Sequence, residues 1–305
     1  MRVVFMGTPD IAETCLRRLA RENFDIVGVY TKPDMPKNRG MKLAMSPVKE
    51  FALTRNYPVY QPVTFKDDAV VEELRALEPD VIAVVAYGKI LPQRVLDIPR
   101  LGCINIHASI LPELRGSGPV QWAILNGLDE TGVTAMHMAA EMDAGDIIEI
   151  RRTPIEPYEN AQSLLDRLAV IGGDLLCDTL HGLEAGTTTR TAQDHDKATF
   201  APMLTKALCP IDWDRTPRRI IDQVRGLDPW PVATTELEGK RFKIYGVRPV
   251  DKTTDRPAGT PVALTKAGLE MACADGAVVV ITELQADGGK RMAAPDYFRG
   301  HPIQL

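Results

Sequence analysis

The chain has 305 residues, enough for two domains, and its 45% hydrophobic and 25% charged residues are ordinary for a globular protein. A net charge of −5 argues against a general nucleic-acid binder, and no apolar run approaches the about 20 residues of a membrane span. The five cysteines are scattered, with no Cys-x-x-Cys pair, which argues against a zinc ribbon or a disulfide framework. The N-terminal apolar stretch is too short for a signal peptide, so we expect a cytoplasmic protein.

Charge is unevenly distributed along the chain. Residues 206–305 carry 15 Lys and Arg against 13 Asp and Glu, a net +2, so residues 1–205 carry −7. Within this acidic part, residues 32–49 are locally basic, with five lysines and arginines against Asp34 alone. A positive loop on a negative domain favours a phosphate or polyanion at that place. From charge alone, a solvated loop without a ligand is the more common explanation.

The chain opens with a predicted buried strand over Arg2–Met6, a turn at Gly7 and a helix over about 11–21. Thr8 is predicted to cap this helix, with Pro9 at its first position. A strand, turn and helix of this kind are typical of nucleotide-binding units. However, Gly7 is the only glycine there, and the G-x-G-x-x-G phosphate cradle is missing. The opening therefore predicts no dinucleotide cofactor.

Strands and helices then alternate through the first part of the chain. The predicted elements are a strand at Asp25–Tyr30, a helix started by Ser46-Pro47 and running to about Asn56, a helix at Asp67–Leu77, and strands at Asp80–Ala86 and Cys103–His107. This alternation predicts an α/β, Rossmann-like and mostly parallel sheet with right-handed crossovers. Ligands of such sheets bind at the carboxyl ends of the strands. We therefore expect the ends of the last two strands to line a site.

The later part of the chain is predicted to change from α/β to β. A helix at Val120–Asn126, strands at Gly132–Ala139 and up to about Ile155, and a long helix at Ser163–Glu184, interrupted by Gly172-Gly173, precede a Thr-rich stretch. We therefore place a catalytic domain at residues 1–189, a linker at 190–205 and a second domain at 206–305. One helix at Thr216–Gly226 and at least five short β-rich runs predict a small antiparallel barrel or sandwich in the second domain.

Three polar side chains alternate at the end of the Cys103–His107 strand: Asn105, His107 and Ser109. Successive side chains of a strand point to opposite faces, so these three share one face. For any one of them alone, the simpler interpretation is an ordinary polar side chain with its hydrogen bonds made. Three on one face, followed by a loop that contains Pro112, favour a functional site. Ser109 is a weak nucleophile candidate because no G-x-S-x-G elbow surrounds it.

A carboxylate that can join them is Asp143, in a predicted turn before Gly145. Asn105 is a donor that cannot ionise, His107 is a donor that can, and Asp143 is a carboxylate acceptor. Such a set of groups suits the attack of an amine on a carbonyl. Asn105 and His107 can donate to the oxygen as negative charge develops, and one well-placed donor contributes about 3–4 kcal/mol. Asp143 can tune the imidazole and accept the proton that the amine loses. A metal site is the alternative, but no H-E-x-x-H or Cys/His spacing supports it.

Six motifs, in order along the chain, carry a family resemblance. They are Met6-Gly-Thr-Pro-Asp10, the Lys32–Lys49 loop with Asn38-Arg-Gly40, Ala86-Tyr-Gly-Lys-Ile-Leu-Pro92, Asn105-x-His-x-Ser-x-Leu-Pro112 with Arg115-Gly-x-x-Pro119, Met142-Asp-x-Gly-Asp-Ile147, and Asp212-Trp with Pro229-Trp-Pro231. Over essentially its whole length the chain resembles the formyltransferases that use 10-formyltetrahydrofolate, and within them the branch that acts on methionyl-tRNA.

The resemblance implies transfer of the formyl group of 10-formyltetrahydrofolate to the free α-amino group of methionyl-initiator tRNA, for translation initiation. Asn105, His107 and Asp143 match the catalytic trio of the family. The residues that match its folate-contacting walls are Ser109, Ile110, Leu111 and Pro112, together with Tyr87, Gly88, Lys89, Ile90 and Leu91. The resemblance implies a folate co-substrate and no metal.

The resemblance also implies an RNA partner. The 32–49 loop is similar to an insertion that the family wedges against the tRNA acceptor end, with Arg39 as its key cation and Lys37 and Lys42 beside it. The C-terminal domain is similar to the tRNA-binding barrel of the family, which is OB-like. Two departures from the family pattern are Asn38, where a glycine is usual, and Ser117-Gly118, where two alanines are usual. We expect a monomer with no membrane partner.

Two other functions are compatible with these residues. An enzyme with the same trio can formylate an amino sugar or a purine precursor, or hydrolyse the folate. The basic loop and the C-terminal domain argue against this function, because a small substrate requires neither. A tRNA- or nucleotide-binding module with an inactive pocket is the second alternative, and the intact trio argues against it.

Overall fold

The computed structural model describes residues 1–37 and 42–305. Its backbone forms two compact units, each assembled from separated stretches of the chain. The first unit contains Met1–Pro119, Thr131–Thr153 and Leu165–Ala201. The second contains Val120–Glu130, Pro154–Leu164 and Pro202–Leu305. Two short stretches that precede residue 165 therefore belong to the unit that is otherwise C-terminal.

Helices and strands alternate through the first 185 residues. The strands are β1 (Arg2–Gly7), β2 (Asp25–Tyr30), β3 (Met35–Lys37), β4 (Lys42–Ala44), β5 (Val59–Tyr60), β6 (Val81–Val85), β7 (Cys103–His107), β8 (Glu130–His137) and β9 (Ile147–Pro154). The helices are α1 (Asp10–Arg21), α2 (Pro47–Thr54), α3 (Asp68–Ala76), α4 (Gln93–Leu96), α5 (Pro119–Leu125) and α6 (Ala161–Ala185). This order is that of an α/β protein, as predicted.

Within the described residues, the first unit is built on a seven-stranded sheet with the order β5-β2-β1-β6-β7-β8-β9. Neighbouring strands from β5 to β7 run parallel, and β8 pairs with β7 antiparallel. All residues of β6 and β7 are buried, which is typical of strands covered on both faces. The prediction of a Rossmann-like, mostly parallel sheet is confirmed. The carboxyl ends of β1, β6 and β7 meet at one edge of this sheet.

Two predicted helix caps have different outcomes. Ser46 caps α2 as predicted, because its hydroxyl accepts a hydrogen bond from the Lys49 amide at 3.1 Å. Thr8 does not cap α1: the residue before the helix is Pro9, and the Thr8 hydroxyl donates to the Tyr87 carbonyl oxygen at 3.2 Å. Since Thr8 follows β1 and Tyr87 follows β6, this bond joins two strand ends at the edge of the sheet.

Helix α6 is continuous, so the predicted interruption at its two adjacent glycines is wrong. The glycines instead allow close packing. A Cβ atom on Gly172 would lie 3.0 Å from Cγ2 of Ile106, and one on Gly173 would lie 3.1 Å from Cβ of Arg18. The missing side chains therefore let α6 approach β7 and α1 more closely than alanine would allow.

The second unit contains a six-stranded antiparallel sheet among the described residues. Its elements are α7 (Pro217–Leu227), β10 (Ala233–Leu237), β11 (Lys240–Thr253), β12 (Pro261–Leu264), β13 (Leu269–Ala272), β14 (Ala277–Ala286), β15 (Met292–Ala293) and α8 (Ala294–Gly300). The strand order is β10-β11-β14-β13-β12, with β15 paired to β14. One core cluster contains Phe242 and Ile281 of the sheet with Ile220 and Val224 of α7. The predicted antiparallel domain is confirmed, but the pairings between described residues do not close the sheet into a barrel.

Candidate active site

Asn105 and His107 lie on the same face of β7. They pair with Met136 and Thr134 of β8, and side chains of directly paired residues share a face of the sheet. Two positions along a strand are separated by about 7 Å, so the amide and the imidazole are neighbours. Asn105 is 9% exposed and His107 is 7% exposed. Both polar groups are therefore almost completely enclosed at the carboxyl end of the strand.

The two ring nitrogens of His107 have different surroundings. Nε2 lies 3.0 Å from the Leu114 carbonyl oxygen. A carbonyl oxygen can only accept a hydrogen bond, so Nε2 carries the proton that forms it. Nδ1 lies 3.8 Å from Oδ2 of Asp143, too far for a direct hydrogen bond. In the neutral ring Nδ1 therefore accepts hydrogen bonds. In the imidazolium both ring nitrogens carry a proton, and because Nε2 donates to Leu114, Nδ1 is the remaining donor.

Asp143 reaches the site through the turn between β8 and β9. Its backbone is left-handed, with φ 52°, a conformation that is uncommon for a residue other than glycine. Oδ2 accepts a hydrogen bond from the Gly116 amide at 2.8 Å. The structure thus brings together the three residues predicted to carry the chemistry, Asn105, His107 and Asp143, at the end of β7.

Ser109 supports the loop after β7 from inside. It is fully buried, and its hydroxyl donates to the Glu113 carbonyl oxygen at 2.6 Å. Thr134 of β8 makes two further bonds to this loop: its hydroxyl donates to the Ser109 carbonyl oxygen at 2.6 Å and accepts from the Leu111 amide at 3.1 Å. Thr134 was not singled out from the sequence, because the only signal for it is its place opposite His107 in the strand pairing.

The predicted folate-contacting segment that follows β6 has both buried and exposed members. Tyr87 and Leu91 belong to a core cluster that includes Val4 of β1 and Ile82 of β6. Ile90, between them, is 81% exposed. The segment is therefore anchored at both ends and presents an aliphatic side chain that an apolar ligand can cover.

Two lysines bring positive charge close to Gly88 of the same segment. The Lys89 ammonium donates to the Pro62 carbonyl oxygen at 2.7 Å. Burial and the neighbouring charge of Lys32 hold the pKa of Lys89 below its ordinary value. Gly88 has φ 71°, and a Cβ atom there would lie 2.4 Å from Nζ of Lys32. A side chain at this position would therefore displace the Lys32 ammonium.

The loop predicted to contact tRNA is described only in part. Arg39, its predicted key cation, lies outside the described residues. Lys37 and Lys42 pair through their backbones at the ends of β3 and β4. The Lys49 ammonium lies 2.7 Å from Oδ2 of Asp34, and this hydrogen bond holds the pKa of Asp34 below its ordinary value. The Lys49 ammonium therefore stabilises the loop through its ion pair with Asp34.

The described part of the chain has no cluster of metal-ligating side chains, and its thiols are buried. Residues 1–37 and 42–305 contain no group of three His, Cys, Asp or Glu side chains that could hold a metal ion. The five cysteines are buried and unbonded to one another, and burial raises the pKa of the Cys103 and Cys177 thiols to about 12. Such thiols are poor nucleophiles because they stay protonated. No helix in the same residues is long and apolar enough to cross a membrane.

His137, at the end of β8, is a second buried histidine and lies on the sheet face opposite the site. It pairs with Ile104, and it is 7% exposed. Its Nε2 has no hydrogen-bond partner among the described residues. Burial, helped by the charge of Arg190, lowers the pKa of His137 to about 4.

We expect His137 to make the protein less stable as the pH falls from about 6.5 to about 4. The unfolded chain takes up a proton near pH 6.5, whereas the folded chain resists it until about pH 4. Protonation therefore favours unfolding across this window, by up to about 3 kcal/mol at its acid end. Urea unfolding at pH 7 and pH 5 measures this loss. His137→Gln is expected to reduce it, whereas His181→Gln, at an exposed histidine of the same unit, should leave it unchanged.

Two family models match this chain. Residues 1–180 match the formyl transferase model, and residues 203–302 match the model of the formyl transferase C-terminal domain. The chain belongs to the formyltransferase family. The first match covers the whole candidate site, from β1 to most of α6, and the second covers the antiparallel sheet.

Relatives named methionyl-tRNA formyltransferase align with essentially the whole chain. That of Clostridioides difficile (strain 630) is 42% identical over 304 residues, which cover 100% of this chain and 98% of the relative. That of Geotalea uraniireducens (strain Rf4) is 47% identical over 306 residues, which cover 99% and 96%. That of Bacillus subtilis (strain 168) is 43% identical over 303 residues, which cover 99% and 96%. The similarity therefore includes residues of both units.

Solved structures share the fold at lower sequence identity. HypX from Aquifex aeolicus, in complex with tetrahydrofolic acid, has a TM-score of 0.64 and 20% identity, over 98% of this chain and 47% of HypX. An N-formyltransferase from Helicobacter canadensis, in complex with folinic acid and dTDP-3-aminofucose, has a TM-score of 0.70 and 18% identity, over 92% and 98%. At these identities the likeness shows the fold alone, and this chain spans about half the length of HypX.

Proposed function

We propose that this chain transfers the formyl group of 10-formyltetrahydrofolate to the free α-amino group of methionyl-initiator tRNA, for translation initiation. The observation that carries the proposal is the grouping of Asn105, His107 and Asp143 at the end of β7, in a chain whose full-length relatives are named methionyl-tRNA formyltransferase. An amide donor, a titratable ring and a carboxylate meet the needs of an amine that attacks a formyl carbon.

The reaction uses each member of the trio differently. The amine nitrogen bonds to the formyl carbon while the carbonyl π electrons move to oxygen. The Asn105 amide and the Nδ1–H of the His107 imidazolium donate to this oxygen, since Nε2 already donates to Leu114. The Asp143 carboxylate stabilises the imidazolium beside it and accepts the proton that the amine loses, directly or through water. The oxyanion then re-forms the carbonyl as the bond from the formyl carbon to N10 of the folate breaks, and N10 takes up the proton that Asp143 holds, directly or through water.

The folate is proposed to lie against the two segments that follow β6 and β7. Ile90 is exposed and Ile110 and Pro112 are partly exposed, so these residues offer apolar surface to the ligand. Ser109 and Leu111 hold the second segment from behind through their bonds to its own loop and to β8. The tetrahydrofolic acid in the HypX complex is in keeping with this class of co-substrate.

The tRNA is proposed to contact the β3–β4 hairpin through Lys37, Arg39 and Lys42, and to contact residues 206–305 as a tRNA-binding domain. For the antiparallel sheet of this domain we propose an OB-like barrel form. The net +2 charge of residues 206–305, beside −7 for the rest of the chain, supports an RNA partner there. We propose a monomer that works in the cytoplasm, because translation supplies its RNA substrate in that compartment.

The deciding experiment incubates the protein with 10-formyltetrahydrofolate and methionyl-initiator tRNA. The expected product is formyl-methionine attached to the RNA, identified by mass spectrometry after mild hydrolysis. A parallel reaction contains a nucleotide-linked amino sugar in place of the RNA. Formylation of the sugar alone would overturn the proposal, and so would RNA binding without turnover, which would identify a module with an inactive pocket.

Arg39→Ala is expected to raise KM for the methionyl-tRNA and to make this KM less sensitive to salt. Each lost phosphate contact lowers the slope of log K against log salt by about one, because one fewer counterion is released on binding. Initial rates between about 50 and 200 mM salt measure the slope. The matched control is Lys66→Ala, at an exposed lysine outside the hairpin, for which the wild-type slope is expected. Unchanged tRNA kinetics in Arg39→Ala would refute the role given to the loop.

A further inference from the structure

Gln193 makes hydrogen bonds with every polar atom of its side chain. It lies in the stretch 190–205, predicted from the sequence to be a linker, yet it belongs to the first unit and is only 6% exposed. Its Nε2 donates to the carbonyl oxygens of Asp143 at 2.9 Å and Gly145 at 2.7 Å. Its Oε1 accepts from Nη2 of Arg115 at 2.7 Å and from Nε at 3.2 Å. Since carbonyls only accept and guanidinium only donates, these partners allow one orientation of the amide.

The two segments that Gln193 joins are those that hold His107. One segment contains Asp143, whose carboxylate faces Nδ1, in a left-handed backbone conformation that is strained for a residue other than glycine and persists only when its surroundings impose it. The other contains Arg115, whose neighbours are Leu114, the acceptor for Nε2, and Gly116, the amide donor to the Asp143 carboxylate. One buried amide therefore joins the backbone of the Asp143 turn to the side chain of Arg115, in the loop on the other side of the imidazole.

The stretch around Gln193 is itself fixed to the same loop. The Arg115 amide donates to the Thr199 carbonyl oxygen at 2.9 Å, and the Ala201 amide donates to the Arg115 carbonyl oxygen at 2.7 Å. The Thr199 hydroxyl accepts from the Leu114 amide at 2.9 Å. These bonds fix the stretch around Gln193 to the loop that contains Arg115. The Gln193 amide therefore holds the Arg115 side chain and the Asp143 turn at a set distance from each other.

We infer that Gln193 is a positioning residue that sets the distance between the Asp143 carboxylate and Nδ1 of His107. This role rests on the proposed function, in which that pair stabilises the transition state. Gln193 is buried and its amide is bonded to Arg115 and to the carbonyl oxygens of Asp143 and Gly145, so its loss is expected to lower kcat and to leave KM for both substrates within about threefold.

The substitution Gln193→Glu tests whether Gln193 positions the catalytic groups or only supports the structure. When ionised, the introduced carboxylate keeps a partner for the buried Arg115 guanidinium, which also faces Nδ1 of His195 at 3.2 Å and the Glu141 carboxylate at 3.7 Å. It repels the carbonyl oxygens of Asp143 and Gly145, however, because it has no proton to donate to them. When protonated, the same group can donate to one of them. We therefore expect kcat of Gln193→Glu to be at least about tenfold below wild type at pH 8 and to recover part of the loss as the pH falls towards about 6.

Gln223 is the matched control. Its Nε2 also donates to two backbone carbonyls, those of Leu208 at 2.9 Å and Pro210 at 2.8 Å, in the second unit. Because residues 206–305 are proposed to bind the tRNA, Gln223→Glu is a control for lost stability and not for turnover: it is expected to lose stability while the imidazole NMR signals of His107 stay as in the wild type. A kcat of Gln193→Glu within about twofold of wild type, with an unchanged pH profile, would overturn the inference, and so would an equal shift of these signals in both variants.

The imidazole NMR signals of His107 give a readout that needs no substrate. They are identified by their absence in His107→Asn, and they are expected to move in Gln193→Ala but not in Gln223→Ala. If they move and the wild type fails to formylate methionyl-tRNA, the positioning role stands and the proposed function falls. If the wild type formylates methionyl-tRNA and the signals stay in place, the proposed function stands and the positioning role falls.

Discussion

His107→Ala is expected to lower kcat by about 10²–10⁴-fold, the usual contribution of a positioned acid or base. The expected change in KM is much smaller, because the imidazole acts on the charge that develops in the transition state. The ring is held by Leu114 at Nε2, and Nδ1 faces the Asp143 carboxylate, so alanine removes the donor to the oxyanion and leaves the carboxylate without its positive partner. Rates of formyl-methionyl-tRNA formation at saturating concentrations of both substrates measure the effect.

A pair of amide substitutions tests which ring nitrogen matters. The amide nitrogen of Asn at position 107 takes the place of Nδ1, whereas that of Gln takes the place of Nε2 and restores donation to the Leu114 carbonyl oxygen. If Nδ1 carries the chemistry, His107→Asn retains more activity than His107→Gln. The reverse order would mean that His107 serves mainly to hold the loop, and near-wild-type turnover in His107→Ala would remove it from the mechanism.

The part of this site that could be predicted from the sequence is the part set by a single strand. Alternation along β7 places Asn105 and His107 on one face wherever the strand lies, and the α/β order places its end at the ligand-binding edge of the sheet. The Ser46 cap was predictable for the same reason, because a cap and its helix are adjacent in the chain.

Features that depend on contacts between distant residues could not be predicted from local sequence patterns. The Thr8 hydroxyl bonds to Tyr87, 79 positions away, and this contact outcompetes the local cap. The glycines of α6 predict an interruption from the local pattern alone, because their packing partners, Ile106 and Arg18, are remote in sequence. The contacts of Gln193 are hidden for the same reason: nothing near it in the chain indicates that Asp143 and Arg115 are its partners. Local patterns predict elements, whereas these contacts exist only once the elements are packed.

The place of residues 154–164 in the second unit also depends on contacts between residues that are distant in sequence. This stretch is bonded to a buried ion-pair network on α7. Asp222 is fully buried, and its carboxylate lies 2.8 Å from Nη2 of Arg225 and 2.9 Å from Nε of Arg218. Arg225 in turn donates to the carbonyl oxygens of Glu156 at 2.8 Å and Glu159 at 3.2 Å. Removal of the carboxylate would leave a buried guanidinium without its counter-charge.

Asp222→Ala is therefore expected to lower the free energy of unfolding of the second unit by about 3–5 kcal/mol, the usual cost of breaking a buried pair from one side. All three tryptophans, Trp122, Trp213 and Trp230, lie in this unit, so urea unfolding followed by their fluorescence reports on it alone. Asp129→Ala is the matched control, since Asp129 pairs with the same Arg218 at 2.9 Å but is 90% exposed. Its expected cost is at most about 1 kcal/mol. Equal effects of the two substitutions would mean that the network through Arg225 does not hold the 154–164 stretch to α7, and that apolar packing alone does so.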